Sequence, residues 1–444
     1  MVGEKNKATS AYPFFPRELM VINIFKKAIY LILMWSFVVG CGRSAGEKLT
    51  FAVGGAPNEL VYWEKVIGEF QKQSNIQVEM LRRPSNTDQQ RQSLIISLKA
   101  ELSDPDVFLM DVAWIGMFAA AGWLEPLGND VDPTPFFQTV IHSVDTMDGR
   151  LIALPVYMDG GVLYYRKDLL KLGGLKGPPK TWSELLASGK KVQEQLRKVN
   201  PKFYGFVWSG AQYEGLITVF MEFAGTEGGF IRNGAGVRLN SPANLAALTF
   251  MHDLIWKDKI SPPNTYTTMR EEQVRTYFQE GNAMYERNWP YAWSLHQAKD
   301  SKVRGKTAVA PVPGPQESTS ASTLGGFHIG VSAFSDAKDA AKKFVRFVTF
   351  FACQKEMVLS LGWNPGRQDL YRDREVLRKA PHLRKLMVVF QRSRPRPLVP
   401  YYSQISVVAQ RQISAVLANK VAPREALADA DREIAAMLSR YELK

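Results

Sequence analysis

The strongest constraint on the fold is an alternation of strand and helix patterns between residues 49 and 110. Apolar residues alternate with polar or small ones in the first strand segment, and a continuous apolar run forms the last. Such a run is typical of a strand buried on both faces of a parallel sheet. The pattern predicts strands at 49–53, 76–80 and 107–110, with helices around 63–70 and at 89–102. This order predicts an open α/β sheet flanked by helices.

Length and composition agree with a folded body of more than one unit. The 444 residues suggest two or three folded units, and 45% hydrophobic with 22% charged residues is typical of globular proteins. The net charge of +13 falls to +10 without residues 1–40, since 51 basic and 41 acidic residues remain. That surplus permits contact with anionic surfaces without requiring nucleic acid. Two cysteines, Cys41 and Cys353, exclude a disulfide scaffold and a Cys-based metal site.

A short apolar segment near the N-terminus is typical of an export signal. Two lysines precede the twelve apolar residues 28–39, a run too short to span a bilayer. Residues 38–41 resemble the lipobox of bacterial lipoproteins, which implies cleavage before Cys41 and acylation of that cysteine. We therefore expect a signal peptide at 1–40 and a lipid-anchor spacer at 41–48. The alternative for this segment is a buried helix with an incidental cysteine. Translation could start at Met1 or at Met20.

Motifs for reaction chemistry are incomplete in this sequence. The five histidines are far apart and have no metal-ligand spacing. Gly305-Lys306-Thr307 lacks the first glycine of a P-loop, because Asp300 occupies that position. Residues 330–334 lack the second glycine of a nucleophile elbow. We therefore expect no catalytic residue, no metal and no cofactor.

Three carboxylates occupy positions from which they could reach a ligand. Asp111 follows the buried strand 107–110, and ligands of open α/β sheets bind beyond the carboxyl ends of strands. Asp159 follows the strand-like residues 154–158, and Glu59 lies in the first turn of a helix. The alternatives are a helix cap for Asp111, a solvated turn for Asp159 and a helix-dipole contact for Glu59.

Aromatic and basic residues complete the candidate binding set. Trp289-Pro290-Tyr291 is a loop-like aromatic cluster whose alternative is packed core, and Arg396 stands between two prolines. Sugar rings stack their C–H faces on aromatic rings, and their hydroxyls bond to carboxylates and arginine. Hydrogen bonds with a charged partner contribute roughly 1.5–3 kcal/mol each. The residue types therefore favour a neutral polyol ligand.

At these residues the sequence resembles the extracellular solute-binding proteins of ABC importers, in particular the trehalose/maltose-binding proteins. The resemblance extends in order from residue 50 to about 402. It is carried by the stretches TFAVGGAPNELVYW, SDPDVFLMDVAW, GWLEPL, ALPVYMDGGVLYYRKDLL, GFVWSGAQYEGL, KISPPNTYT, GNAMYERNWPYAW, LGGFHIGVS, LGWNPGR and RPRPLVPYY.

The resemblance implies a two-lobed fold with the ligand in a cleft between the lobes. The first lobe would comprise residues 49–155 and 308–361, and the second 156–307 and 362–444. The implied ligand contacts are Glu59, Arg91, Asp111, Tyr157, Asp159, Trp289, Tyr291, Gly326, Phe327 and Arg396. The contact assigned to Arg91 could equally be made by Gln90. Phe327 replaces the family's tryptophan, which loses the indole N–H donor.

The resemblance further implies a sugar-capturing function. A disaccharide such as trehalose or maltose would be bound by hinge closure and delivered to a membrane permease with a separate ATPase. The protein would be a monomer without enzymatic activity, exported and lipid-anchored in the cell envelope. A secreted glycoside hydrolase with paired carboxylates is the alternative. A basic nucleic-acid binder is a second one, and the export signal argues against it.

Overall fold

The computed structural model describes residues 47–84, 86–129, 131–233 and 236–442. The predicted signal peptide and Cys41, the predicted acylation site, lie outside the described residues. Within the described part, no helix combines the length and the apolar character that a bilayer span requires. Residues 48–444 form one compact unit.

Fourteen strands lie in the described part of the chain. They are β1 Lys48–Gly54, β2 Gln77–Arg83, β3 Val107–Asp111, β4 Leu124–Glu125, β5 Thr146–Met147, β6 Arg150–Leu151, β7 Leu154–Gly160, β8 Val162–Arg166, β9 Tyr204–Val207, β10 Ile231–Asn233, β11 Gly236–Arg238, β12 Ala283–Asn288, β13 Thr307–Pro311 and β14 Leu324–Ser332.

Seventeen α-helices accompany these strands in the same described ranges. They are α1 Pro57–Ser74, α2 Thr87–Lys99, α3 Ile115–Ala120, α4 Gln138–Val140, α5 Lys167–Leu172, α6 Trp182–Leu196, α7 Glu214–Ala224, α8 Pro242–Trp256, α9 Thr265–Thr268, α10 Glu271–Gln279, α11 Ala292–His296, α12 Lys338–Thr349, α13 Phe351–Leu361, α14 Arg374–Lys379, α15 Leu383–Gln391, α16 Tyr402–Leu417 and α17 Pro423–Glu442.

Two mixed sheets organise the chain. The first has the order β2-β1-β3-β14-β4, with β7 also paired to β14. Strands β1, β2 and β3 are parallel, whereas β14 is antiparallel to its neighbours. The second sheet has the order β13-β8-β12-β9. The predicted α/β class with open mixed sheets and flanking helices is confirmed.

Aromatic packing covers the first sheet as the apolar pattern predicts. Phe51 in β1 meets Trp63 of α1 and Phe344 of α12 edge-on, with ring centroids 5.2 and 5.1 Å apart. All three side chains are fully buried. Burial of an aromatic side chain removes about 150–250 Å² from water, so this cluster is a main source of stability for the first sheet.

Sheet membership differs from the predicted lobe boundaries at two places. Residues 156–160 were assigned to the second lobe, but β7 pairs with β14 in the first sheet as far as Gly160. Residues 308–311 were assigned to the first lobe, but β13 pairs with β8 in the second sheet. The chain thus passes between the sheets at Gly160–Gly161 and between β13 and β14. The remaining lobe boundaries stay a prediction.

Candidate functional site

A cavity of about 550 Å³ lies where strand ends of the first sheet face helix starts near the second sheet. Its volume is within the range of about 300–1,000 Å³ that is common for ligand pockets. Its lining contains five carboxylates, three arginines and several aromatic rings. The charged and aromatic members are Asp88, Asp111, Asp159, Glu214, Glu271, Arg91, Arg270, Arg396, Trp114, Tyr213, Trp289, Tyr291, Phe327 and Tyr402.

The lining divides into two walls by the elements that carry it. We call the residues contributed by β3, β7 and β14 the first wall, namely Asp111, Asp159, Gly326 and Phe327. The second wall consists of residues from the starts of α7 and α10 and from the loop after β12, namely Glu214, Glu271, Trp289 and Tyr291. Eight of the ten predicted contacts line the cavity, whereas Glu59 and Tyr157 do not.

Asp111 at the end of β3 caps the turn that follows and also lines the cavity. Its carboxylate accepts a hydrogen bond from the backbone N–H of Ala113 at 2.8 Å, which caps the short helical turn that follows β3. The same oxygen also lies 2.9 Å from Nη2 of Arg396. The cap therefore leaves Asp111 in the cavity lining, and its ligand role stays a prediction.

Arg396 joins the two walls. Its side chain is only 4% exposed, and its guanidinium pairs with Asp111 and, at 3.0 Å, with Glu214. Burial alone would lower the pKa of Arg396, but the two carboxylates outweigh it and the pKa is raised. Arg396 is therefore a permanent cation. Its planar fork holds one carboxylate from each wall.

Asp159 is the carboxylate of the first wall with the weakest charge compensation. Asn364 donates its amide N–H to Oδ1 of Asp159 at 3.1 Å. Burial raises the pKa of Asp159 to about 7, and the nearby charges of Asp111 and Glu59 add to the effect, with Asn364 and Arg287 opposing it. Asp159 can therefore accept a hydrogen bond from a ligand without first losing a charged partner.

The aromatic residues of the second wall are held from behind. The guanidinium of Arg287 lies over the ring of Trp289 at 4.2 Å, and Glu222 binds that guanidinium with two bonds of 2.6 Å. The Tyr291 hydroxyl donates to Glu272 at 2.6 Å. These contacts fix both rings, and a fixed ring loses little conformational entropy when a ligand stacks on it.

The aromatic residue of the first wall belongs to a small stack. The rings of Phe327 and Tyr157 are 5.6 Å apart at 24°, and Trp114 meets Phe327 edge-on at 5.9 Å. Tyr157 also contacts Trp363, with ring centroids 4.3 Å apart. Tyr157 therefore supports Phe327 from outside the cavity lining.

The structure shows the local surroundings of three further predicted contacts, namely Glu59, Gly326 and Arg91. Glu59 accepts a hydrogen bond from the Ala56 backbone N–H at 2.7 Å and so caps α1. Gly326 has φ +114°, and a Cβ there would lie 2.3 Å from the Tyr157 carbonyl oxygen, so glycine is required. Arg91 lines the cavity, whereas Gln90 is buried against Gly54.

Sequence reasoning missed several residues of the cavity, chiefly Glu214, Glu271 and Tyr213. Both glutamates lie in the first turn of a helix, where a carboxylate is usually explained by the helix dipole. Glu214 lies in one of the stretches that carry the family resemblance, but no ligand role was attached to it, and Glu271 lies outside all of these stretches. Among the described residues, no group of His, Cys, Asp and Glu side chains could hold a metal ion.

Comparisons with known proteins agree with this architecture. The family described as bacterial extracellular solute-binding protein matches residues 56–350. A probable ABC transporter-binding protein of Deinococcus radiodurans is 33% identical over 400 residues, which cover 88% of this chain and 94% of that protein.

Solved structures extend the similarity to the fold. Maltose-bound MalE3 of T. maritima superposes with a TM-score of 0.79 at 37% identity, over 88% of this chain and 100% of that one. A solute-binding protein of Thermotoga lettingae bound with α-D-tagatose gives 0.73 at 28% identity, over 88% and 99%. The chain belongs to the family of bacterial extracellular solute-binding proteins.

Proposed function

We propose that this protein is the sugar-binding component of an ABC importer and captures a neutral disaccharide such as maltose or trehalose. The observation that carries the proposal is the cavity itself, where charged hydrogen-bonding groups surround Trp289, Tyr291 and Phe327. Such a lining suits a ligand with many hydroxyls and weakly polar ring faces. The similar protein MalE3 has maltose bound.

Capture would occur by hinge closure. The first wall is carried by strands of the first sheet, and the second wall includes the loop after β12 of the second sheet. The chain crosses between these sheets at Gly160–Gly161 and before β14. A sugar that contacts both walls binds the closed state better than the open one, and this difference drives closure. We expect the ion pairs of Arg396 with Asp111 and Glu214, which join the two walls, to favour the closed state.

Delivery would require partners outside this chain. The closed protein would dock on a membrane permease and release intact sugar, and a separate ATPase would supply the energy. Acylation of Cys41 would hold the monomeric protein in the cell envelope, since several acyl chains anchor a protein far better than one. No chemical step and no cofactor are needed.

A specific observation favours a second candidate, a glycoside hydrolase. Retaining and inverting glycosidases pair a protonated carboxyl with an ionised one. The pKa of Asp159 is raised to about 7 by burial and by Asp111, which resembles such a pair. Arg396, however, occupies one oxygen of Asp111 in an ion pair. A nucleophile with that oxygen engaged is weakened, so we favour binding over catalysis.

Isothermal titration calorimetry with maltose, trehalose, sucrose and glucose tests the proposal. We expect saturable one-to-one binding of an intact disaccharide to the purified protein, and loss of that heat in Asp159→Ala and Trp289→Ala. Asp429→Ala, at a carboxylate of α17 outside the cavity lining, is the matched control and should bind normally. Absence of heat with every sugar would contradict the proposed ligand, and glucose that accumulates after saturation would establish the hydrolase.

A further inference from the structure

The first turn of α10 is tied to the aromatic loop of the second wall by three hydrogen bonds. The Asn288 side chain donates to the backbone carbonyl of Glu271 at 3.0 Å, and the Trp289 indole N–H donates to the Glu271 carboxylate at 3.4 Å. The third bond, from the Tyr291 hydroxyl to Glu272, is the shortest at 2.6 Å. Two consecutive glutamates thus hold the two rings that face the cavity.

Glu272 differs from Glu271 because it does not line the cavity. Its side chain is 58% exposed and also pairs with Arg275 at 2.8 Å. Burial would raise the pKa of Glu272, but the bonds from Arg275 and Tyr291 outweigh it, and the pKa is lowered. Glu272 is therefore a stable anion that faces Tyr291 from outside the cavity. An exposed ion pair of this kind contributes little to folding.

The bond to Glu272 engages the donor hydrogen of the Tyr291 hydroxyl. The ring is then fixed with its polar end turned toward α10 and is available for stacking. Preorganisation of this kind improves affinity because the ring has less freedom to lose on binding. It also makes the contact depend on the shape of the sugar ring.

We propose that Glu272 is a positioning residue, whose carboxylate holds the Tyr291 hydroxyl so that the ring meets the sugar at a fixed angle and sets selectivity among disaccharides. The inference rests on the proposed function. It assigns a role in ligand recognition to a residue that does not line the cavity and acts through its bond to Tyr291.

A double-mutant cycle measured by calorimetry with maltose and trehalose tests this inference. We expect Glu272→Ala and Tyr291→Phe each to weaken binding of the preferred disaccharide about tenfold. Loss of a bond that favours the held ring by roughly 1.5 kcal/mol lowers the population of the binding-competent conformation by about that factor. The double variant should be no weaker than either single variant within about twofold, because both changes remove the same bond. Glu272→Gln retains an acceptor oxygen and should recover most of the affinity.

Glu280→Gln is the matched control, because Glu280 is an exposed carboxylate directly after α10 that pairs only with Lys302 among its described ion pairs. It should leave both sugars' affinities unchanged. Wild-type affinity in Glu272→Ala, or a hundredfold loss in the double variant, would overturn the positioning role. Absence of binding in the wild-type protein would instead reject the proposed function, so the two failures are distinguishable.

Discussion

Asp159 on the first wall and the glutamates behind the second wall differ in how their charge is compensated. On the first wall, Asp159 has an amide partner and a like charge nearby, and its pKa is raised to about 7 by burial and by Asp111. Behind the second wall, Glu222 and Glu272 each pair with an arginine. Under the proposed function, the first wall keeps Asp159 as an acceptor for a ligand, whereas the paired glutamates hold aromatic rings in place. We therefore propose that the first wall recognises a ligand mainly by hydrogen bonds and the second wall mainly by shape.

The largest effect is expected at Arg396, which bonds to both walls. Arg396→Met keeps the length of the side chain but leaves Asp111 and Glu214 without a cation. Breaking a buried ion pair costs about 3–5 kcal/mol, so the free energy of unfolding should fall by about that amount. Disaccharide affinity should fall at least a hundredfold. Chemical denaturation and calorimetry measure the two losses.

Arg367→Met is the matched control for that change. Arg367 is 13% exposed and pairs with Asp369 at 2.6 Å, but it does not line the cavity. We expect it to lower stability while the affinity of the folded protein for sugar stays within about twofold. Full sugar affinity in folded Arg396→Met would show that the bridge from Arg396 to the two walls is not needed for binding.

Asp159→Asn tests the uncompensated carboxylate of the first wall. Between about pH 4 and pH 7, Asp159 of the wild-type protein is protonated in the folded state. In the unfolded state, where its pKa is near the usual 3.8, the same carboxyl has already lost its proton. The contribution of Asp159 to the free energy of unfolding therefore falls as the pH rises to 7 and stays low above it. An asparagine amide does not ionise, so its contribution does not depend on pH. Without sugar, Asp159→Asn should therefore have a free energy of unfolding roughly 1–3 kcal/mol higher than that of wild type at pH 8.

Binding should respond with the opposite sign. A sugar hydroxyl that donates to Asp159 favours the ionised form, so wild-type affinity should rise between pH 5.5 and pH 8.5. Asp159→Asn should bind at least tenfold more weakly at pH 8.5 and show a flatter pH profile. Thermal unfolding and calorimetry at these pH values provide the check. If the difference in the free energy of unfolding between the two proteins were the same at pH 5 and pH 8, the raised pKa of Asp159 would be refuted.

Some residues of the cavity could be predicted from the sequence, whereas others could not. Asp111 and Asp159 follow apolar strands, and strand ends of an α/β sheet meet at one edge, so their placement was predictable. The partner of Arg396 was not, because Asp111 is 285 positions away in the chain and only the fold brings them together. Glu214 was missed because a carboxylate in the first turn of a helix already has a local explanation.

A smaller effect is expected from Glu214→Gln on the second wall. Glu214 accepts hydrogen bonds from Arg396 at 3.0 Å and from the hydroxyls of Tyr402 and Ser406. Glutamine keeps an acceptor oxygen and removes the charge, so we expect a three- to tenfold loss of sugar affinity by calorimetry. A hundredfold loss would place Glu214 beside Asp159 as a direct ligand contact. The electrostatic distinction between the walls would then be wrong.

The smallest effect is expected at Phe327, where the first wall itself uses a ring. Phe327→Trp adds ring area and an N–H donor between Tyr157 and Trp114, so affinity should change by less than about fivefold while the preference between maltose and trehalose shifts. Phe327→Leu keeps the bulk without the aromatic face and should weaken both sugars alike. Competition calorimetry with the two sugars separates these outcomes. An unchanged preference in Phe327→Trp would assign shape recognition wholly to the second wall, where Trp289 and Tyr291 are fixed by their partners.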